Sequence, residues 1–359
     1  MNKLIGKHPE KPDFFAEWLN VEDTIPVNNP NKKHRKLTEI DGQRNIAIEQ
    51  IANWLVEHLI TDRYIKILRK RKKEIYEKYD YEIFLKSQKL LPEEGTTVRQ
   101  GNFAEIIFIE YLKSLKKYDF LVYKLQYTTN VSQAMKGDDI LMFDKSNLRK
   151  ILIGESKYRT NVSKDSIEEI LESFGGSIKL PISMTFVINH SENLEIATEL
   201  SEIQAEIENG LNSIINAGLI LSNEEIHKTV ENHSFYGDFS LTQTVIDELL
   251  IECPNYPVDS IKKLIGLVFK NQTLLRQEIQ KNIARYEMGD TEEEKKKKAK
   301  NWVTKKYKTI IFEHSSKKIN SSLLFISLGL NDLDIYLSQA FDLAEKLLHN
   351  PELLETKTP

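Results

Sequence analysis

The sequence predicts a mixed α/β protein: a core of element order α, β, β, β, α, β between N-terminal and C-terminal regions that are mostly helical. Three observations predict it. Apolar residues recur at helical spacing over 45–60 and again beyond residue 190, short β-branched and aromatic segments crowd between about 98 and 190, and Pro and Gly punctuate the joins. With 359 residues the chain can bury a sizeable core, and its 29% charged and 40% hydrophobic residues exclude disordered and fibrous classes.

Residues 1–97 read as an accessory helical region after an irregular start containing Pro9, Pro12, Pro26 and Pro30. Ile46, Ile48, Ile51, Ala52, Leu55, Val56 and Leu59 mark a helix over 45–60, and a more charged helix follows over about 62–78. The segment Pro92-Glu93-Glu94-Gly95 marks the boundary to the core, 98–190. There 102–115 reads as an apolar helix and 120–127 as a strand. A hairpin follows, with arms at 139–143 and 149–158 around the turn Asp144-Lys145-Ser146-Asn147. A helix over 163–178 ends at Gly175-Gly176, and 182–188 reads as the fourth strand. Residues 191–359 read as a C-terminal helical region, with helices near 191–209, 241–252, 258–287 and 331–348. Two late strands, 309–312 and 323–328, can join the core sheet.

The hairpin carries the chemistry. With its turn centred on Asn147, Phe143 pairs with Ile151, Leu141 with Ile153 and Asp139 with Glu155, and period-two alternation adds Lys157 to the face of Glu155. Two carboxylates and one ammonium thus gather at one end of an otherwise apolar hairpin. Like charges about 4 Å apart repel by about 4 kcal/mol at an effective dielectric of 20, so such a pair asks for a cation or a shared proton. An all-oxygen donor set without Cys or His points to Mg²⁺ or Mn²⁺, and a bound divalent ion activates water and stabilises charge building on a phosphate. Lys157 can orient or deprotonate that water or neutralise the phosphate. Phosphodiester hydrolysis is the reaction these groups suit. A register slipped by one residue pairs Asp138 with Glu155 instead, so spacing leaves Asp138 and Asp139 both open. Glu105 has Phe108, Ile109 and Leu112 at helical spacing and reads either as a third metal ligand or as a first-turn acid favoured by the helix dipole.

Glu-x-Lys alone is a weak signal: it stands at Glu155, Glu293, Glu294 and Glu355, and only the first follows an apolar strand. With an Asp on the facing arm and a helix on either side, the set resembles the PD-(D/E)XK nuclease superfamily. That resemblance implies a restriction-endonuclease-like core with a mixed central sheet, Asp139, Glu155 and Lys157 as catalytic residues, and Glu105 as the helical acid. More narrowly, Arg99-Gln100-Gly101-Asn102-Phe103-Ala104-Glu105, the Gly137-x-Asp139 step and Glu155-Ser156-Lys157 resemble the HamA family, nuclease subunits of the bacterial Hachiman anti-phage system. The Gly-x-Asp form favours Asp139. The resemblance implies a DNA substrate and a helicase partner, HamB. No phosphate-cradling loop is present, so ATP hydrolysis falls to a partner. The residues alone do not separate DNA from RNA.

The formal net charge of −4 gives nucleic-acid binding no support by composition, although Arg69-Lys70-Arg71-Lys72-Lys73 and the lysines of 295–308 form local basic patches. The one cysteine, Cys253, forms no internal disulfide, and no long apolar run reads as a signal or a membrane span, which leads to the expectation of a cytoplasmic protein. His190, at the end of the expected fourth strand, is a weaker candidate for a phosphate contact.

Overall fold

A parallel strand buried on both faces reads as a continuous apolar run, and two such runs lie at the centre of this molecule. The computed structural model describes residues 6–25, 32–76, 80–128, 131, 137–161, 166–167, 169–170, 180–208, 213–231 and 323–354. Within them a seven-stranded sheet is formed by β1 (Leu19–Thr24), β2 (Lys32–Glu39), β3 (Tyr118–Asp119), β4 (Ile140–Asp144), β5 (Asn147–Tyr158), β6 (Ser213–Ser222) and β7 (Leu323–Gly329), in the order β1-β2-β7-β6-β5-β4-β3. The four inner strands β2, β7, β6 and β5 run parallel, while β1 and the β4–β3 pair are added antiparallel at the two edges. Every residue of β7 is buried.

Helices cover both faces. On one face lie α1 (Phe14–Trp18), α2 (Arg44–Leu59), α5 (Thr97–Ser114) and α9 (Leu333–His349), joined in one core with Ile140, Met142, Leu152 and Tyr158 of the hairpin. The alternate residues Leu141, Phe143, Ile151 and Ile153 point the other way, against α6 (Leu180–His190) and α7 (Leu194–Glu208). Farther along that second face, Ile167 and Ile170 pack with Ile220 and Phe325 and with α8 (Ile226–Glu231). Two further helices, α3 (Asp62–Tyr76) and α4 (Tyr81–Gln88), complete the N-terminal region.

The hairpin forms in the expected register: Phe143 opposes Ile151, Leu141 opposes Ile153 and Ile140 opposes Gly154, so the slipped pairing is absent. The Asp144 carboxylate accepts from Ser146 N at 2.8 Å and closes the turn. The helices expected at 45–60, 62–78, 102–115, 191–209 and 331–348 are present as α2, α3, α5, α7 and α9, and the strand expected at 323–328 is β7.

Four expectations are corrected. Residues 120–127 form no strand; β3 is only Tyr118–Asp119, and the chain then leaves the sheet for a 3-10 turn at Lys124–Tyr127. The Gln126 side chain holds that turn to α2, donating to the Glu57 carbonyl at 2.7 Å, and Leu125 is buried beneath it. Residues 182–188 lie in helix α6, with Ser183, Met184 and Val187 buried at helical spacing and Ile182 exposed. A short apolar run fits either element, and here the helix prevails by packing against α7. The fourth core strand is β6, in a stretch read as helical or connecting; its order after α5, β3, β4, β5 and the helical residues near 167–170 is consistent with the expected core.

The N-terminal region is also less helical than expected, because it supplies β1 and β2. The charges of β2 hide it from a hydrophobicity reading. Lys33 and Arg35 are 2% and 0% exposed, and both pair with Asp23 of β1. The strand expected at 309–312, the helices expected at 241–252 and 258–287, most of the helix at 163–178, the basic run at 295–308 and Cys253 lie outside the described residues.

Candidate functional site

Two glycines permit the close approaches that build the hairpin's open end. A Cβ on Gly154 would stand 2.8 Å from Ile140 Cβ and 3.2 Å from a Phe108 ring carbon, so only glycine lets α5 lie down on β5 at this point. Gly137 has φ +113 and admits no side chain, because a Cβ would meet Ser183 Oγ at 2.9 Å. That tight turn delivers the two aspartates to different places. Asp138 is buried, its N–H donates to Ser183 Oγ at 2.9 Å, and its carboxylate accepts from the same hydroxyl at 2.8 Å. Asp139 instead turns to β5, where its Oδ2 accepts from Ser156 N at 2.8 Å and from Ser156 Oγ at 3.1 Å. It continues the β4 edge by a side-chain bond just past the last ladder pair.

The alternation of β5 places Gly154, Ser156 and Tyr158 toward α5, as the Phe108 approach and the Tyr158–Phe103 ring contact mark. Glu155 belongs to the opposite face; its register partner Gly218 lies against Ile170 and Phe325. The side chain of Glu155 is buried and accepts from Lys157 Nζ at 2.8 Å. Glu105, on α5, comes from the other side of the sheet. Three acids therefore approach the end of the sheet from α5, from the β4 edge and from the far face.

A cavity of about 260 Å³ opens there, lined by Glu105, Lys124, Asp139, Ser156 and Lys157, together with the first turns of α5 and Arg159. Glu155 does not line it. Glu105 is 7% exposed, and its Oε1 has no hydrogen bond; Lys124 Nζ stands at 3.3 Å, an ion-pair distance. Burial pushes the Glu105 carboxyl up to about 8; Lys124 opposes that rise, and Asp139 and Glu155 add to it. For Lys124 burial favours the neutral amine, yet Glu105 and Asp139 outweigh it and hold the ammonium above its ordinary range. Lys157 is likewise raised, its burial outweighed by Glu155 and Asp139. The oxygen donors suit a hard divalent ion, and the buried, unbonded Glu105 oxygen fits an incoming cation. As they stand, the acids are engaged by lysines and by Ser156, and among the described residues no three His, Cys, Asp or Glu side chains form a ready cage.

Asp139, Lys157 and Glu105 thus share one cavity, with Glu155 tied to it through Lys157, while Asp138 is committed to Ser183. His190 stands apart, stacked on Phe186 and edge-on to Tyr127, its Nδ1 donating to the Phe186 carbonyl at 2.8 Å. Sequence reasoning missed Lys124, which lay in an expected strand, and Ser156, whose backbone N–H carries half its role and leaves no mark in a motif.

Sheet, flanking helices and this sheet-end cluster define a mixed α/β protein with acids and lysines gathered at the open end of a central hairpin. The model of the HamA family matches residues 12–283, a stretch that holds every residue of the cluster, and the chain belongs to that family. The Hachiman protein HamA of Bacillus cereus is 35% identical over 234 residues, covering 64% of this chain and 83% of that protein. Among the described residues no helix is long and apolar enough to cross a membrane.

Proposed function

We propose that this chain is a metal-dependent endonuclease that hydrolyses DNA phosphodiester bonds as an anti-phage defence effector, working with a helicase subunit of the HamB kind. One observation carries the reading: Asp139, anchored on Ser156, and the Glu155–Lys157 pair meet at the open end of one hairpin beside a cavity that also receives Glu105. Asp139, Glu155 and Glu105 are the residues that would hold Mg²⁺ or Mn²⁺. Such an ion supplies an activated water and stabilises the charge that builds on the phosphate. Ser156 fixes the Asp139 carboxylate, so its remaining oxygen has one direction to offer. Lys157, oriented by Glu155, presents an ammonium to the cavity, where it can neutralise a phosphate oxygen or orient the attacking water.

Purified protein incubated with plasmid DNA and Mg²⁺, beside a Glu155→Ala/Lys157→Ala variant, tests this. Cleavage is expected in the wild type and a loss of at least about a hundredfold in the variant. Equal cleavage by both defeats the assignment. A second reading, a catalytically silent nuclease-like subunit that binds nucleic acid or regulates a helicase, draws on the lysine-engaged acids and the lack of a ready cage among the described residues. It predicts DNA or helicase binding without cleavage, including when the helicase is supplied.

A further inference from the structure

We propose that Lys124 is a built-in counter-cation of the acidic centre and sets its affinity for a divalent ion by competing with it. The inference rests on the metal-dependent reading above and deepens it. Lys124 Nζ donates to the Asp138 carbonyl at 2.7 Å and stands 3.3 Å from Glu105 Oε1, and its side chain is 13% exposed. The placement is fixed from behind: Leu125 is buried in the α2–α5 core, and Gln126 is bonded to the Glu57 carbonyl at 2.7 Å. A lysine held this way is part of the centre and differs from a surface cation that happens to swing nearby.

Glu105 makes the competition specific. Its Oε1 lies in the cavity wall, and among the described residues its ion-pair partner is the Lys124 ammonium at 3.3 Å. A magnesium-sized ion taken by Glu105 and Asp139 must approach carboxylate oxygens to about 2.0–2.1 Å. Two positive charges then arrive within a few ångströms of Nζ, where like charges in a dry site repel strongly. The ion and the ammonium cannot both occupy the charge position beside Glu105. Lysine suits the role because its flexible stem lets Nζ withdraw while the Asp138 carbonyl continues to hold it. Lys157 is distinct: it engages Glu155 and leaves Glu105 to Lys124.

Calorimetric titration of Mn²⁺ into the full chain tests this with the wild type, Lys124→Met, Lys124→Gln and Lys124→Arg, and with Asp139→Asn to mark the site. The Gln variant keeps a donor for the Asp138 carbonyl without the charge and stands in where the Met variant fails to fold. Both neutral variants are expected to bind Mn²⁺ about tenfold tighter, equivalent to about 1.4 kcal/mol, and the Arg variant close to wild type. If wild-type binding depends on Asp139 but Lys124→Gln binds no more tightly, the counter-cation idea falls and the metal site stands. If neither the wild type nor Lys124→Gln binds Mn²⁺, the metal-dependent reading falls and takes this inference with it. Asp139-dependent binding that emerges only in the neutral variants supports the competition in its strongest form.

Discussion

Arg35 on β2 and Glu105 on α5 are both charges taken out of water, and their surroundings differ in kind. Arg35 grips Asp23 with two donors, Nε at 2.8 Å and Nη2 at 3.0 Å, and its Nη1 donates to Tyr111 OH at 3.1 Å. Beside it, the hydroxyl of Ser327 lies 2.7 Å from both His34 Nε2 and His227 Nδ1. With one proton to give, that hydroxyl donates to one ring and accepts from the other. Glu105 has only an ion-pair partner at 3.3 Å and an oxygen with no hydrogen bond. Buried polar groups that are saturated by neighbours hold a fold together, whereas one left open on a cavity marks a place where something else completes the set. The β1–β2 cluster is thus the structural counterpart against which the sheet-end cluster is to be judged.

The largest stability effect is expected at Arg35. Arg35→Ala removes the two-donor grip on Asp23 and leaves it to Lys33, removes one of the largest fully buried side chains, and loosens the edge strand β1. Breaking a buried pair typically costs about 3–5 kcal/mol, and the one-third exposure of Asp23 argues for the lower end, about 3 kcal/mol. Urea unfolding of the wild type and variant measures it. A loss under about 1 kcal/mol would mean that the cluster is not structural in the sense argued.

His34 gives the comparison a pH axis. Burial, then His227 and Lys36, hold its imidazole down at about 3, against an ordinary value of 6.5. The folded ring stays neutral while the unfolded ring takes up a proton below about 6.5, so the unfolded state binds more protons in that window. Stability from His34 is therefore complete above about 6.5 and is lost as the pH falls toward 3. His34→Gln keeps a group able to bond Ser327 but removes this proton uptake. Urea midpoints taken at pH 7 and pH 5 are expected to fall less in the variant than in the wild type. An unchanged difference would place the acid sensitivity elsewhere.

What the sequence revealed follows the same division. The hairpin was legible from its apolar arms, but those arms are apolar on both faces, so a slip of one keeps apolar residues opposed and spacing left the register open; the structure pairs Ile140 with Gly154. The two aspartates that spacing left open go to different places: Gly137 brings Ser183 against Asp138, while Asp139 bonds Ser156. β2 was hidden because Lys33, His34 and Arg35 look like solvent-facing residues until Asp23, Tyr111 and Ser327 are placed beside them. β6 was hidden for the opposite reason, since a strand covered on both faces has no alternation to detect. Lys124 could not be found from spacing at all, because its role depends on a turn pinned by its own Gln126 side chain to a backbone carbonyl of an unrelated helix.

The smallest stability effect is expected at Glu105, and it sharpens the contrast most. Glu105→Gln removes a charge from the buried centre, but Oε1 makes no hydrogen bond that the amide would lose, and burial already pushes the carboxyl up to about 8. The amide has nearly the same volume as the carboxyl and removes the burial cost that the charge carries there. Unfolding in urea is expected to shift by less than about 1 kcal/mol, as at sites kept for function and not for packing. DNA cleavage, or Mn²⁺ binding where cleavage needs a partner, is expected to drop by at least about tenfold, because a proposed ligand has lost its charge. A variant that unfolds as readily as Arg35→Ala would make Glu105 a structural acid like Asp23, and one with full metal binding would leave Asp139 and Glu155 to hold the ion without it.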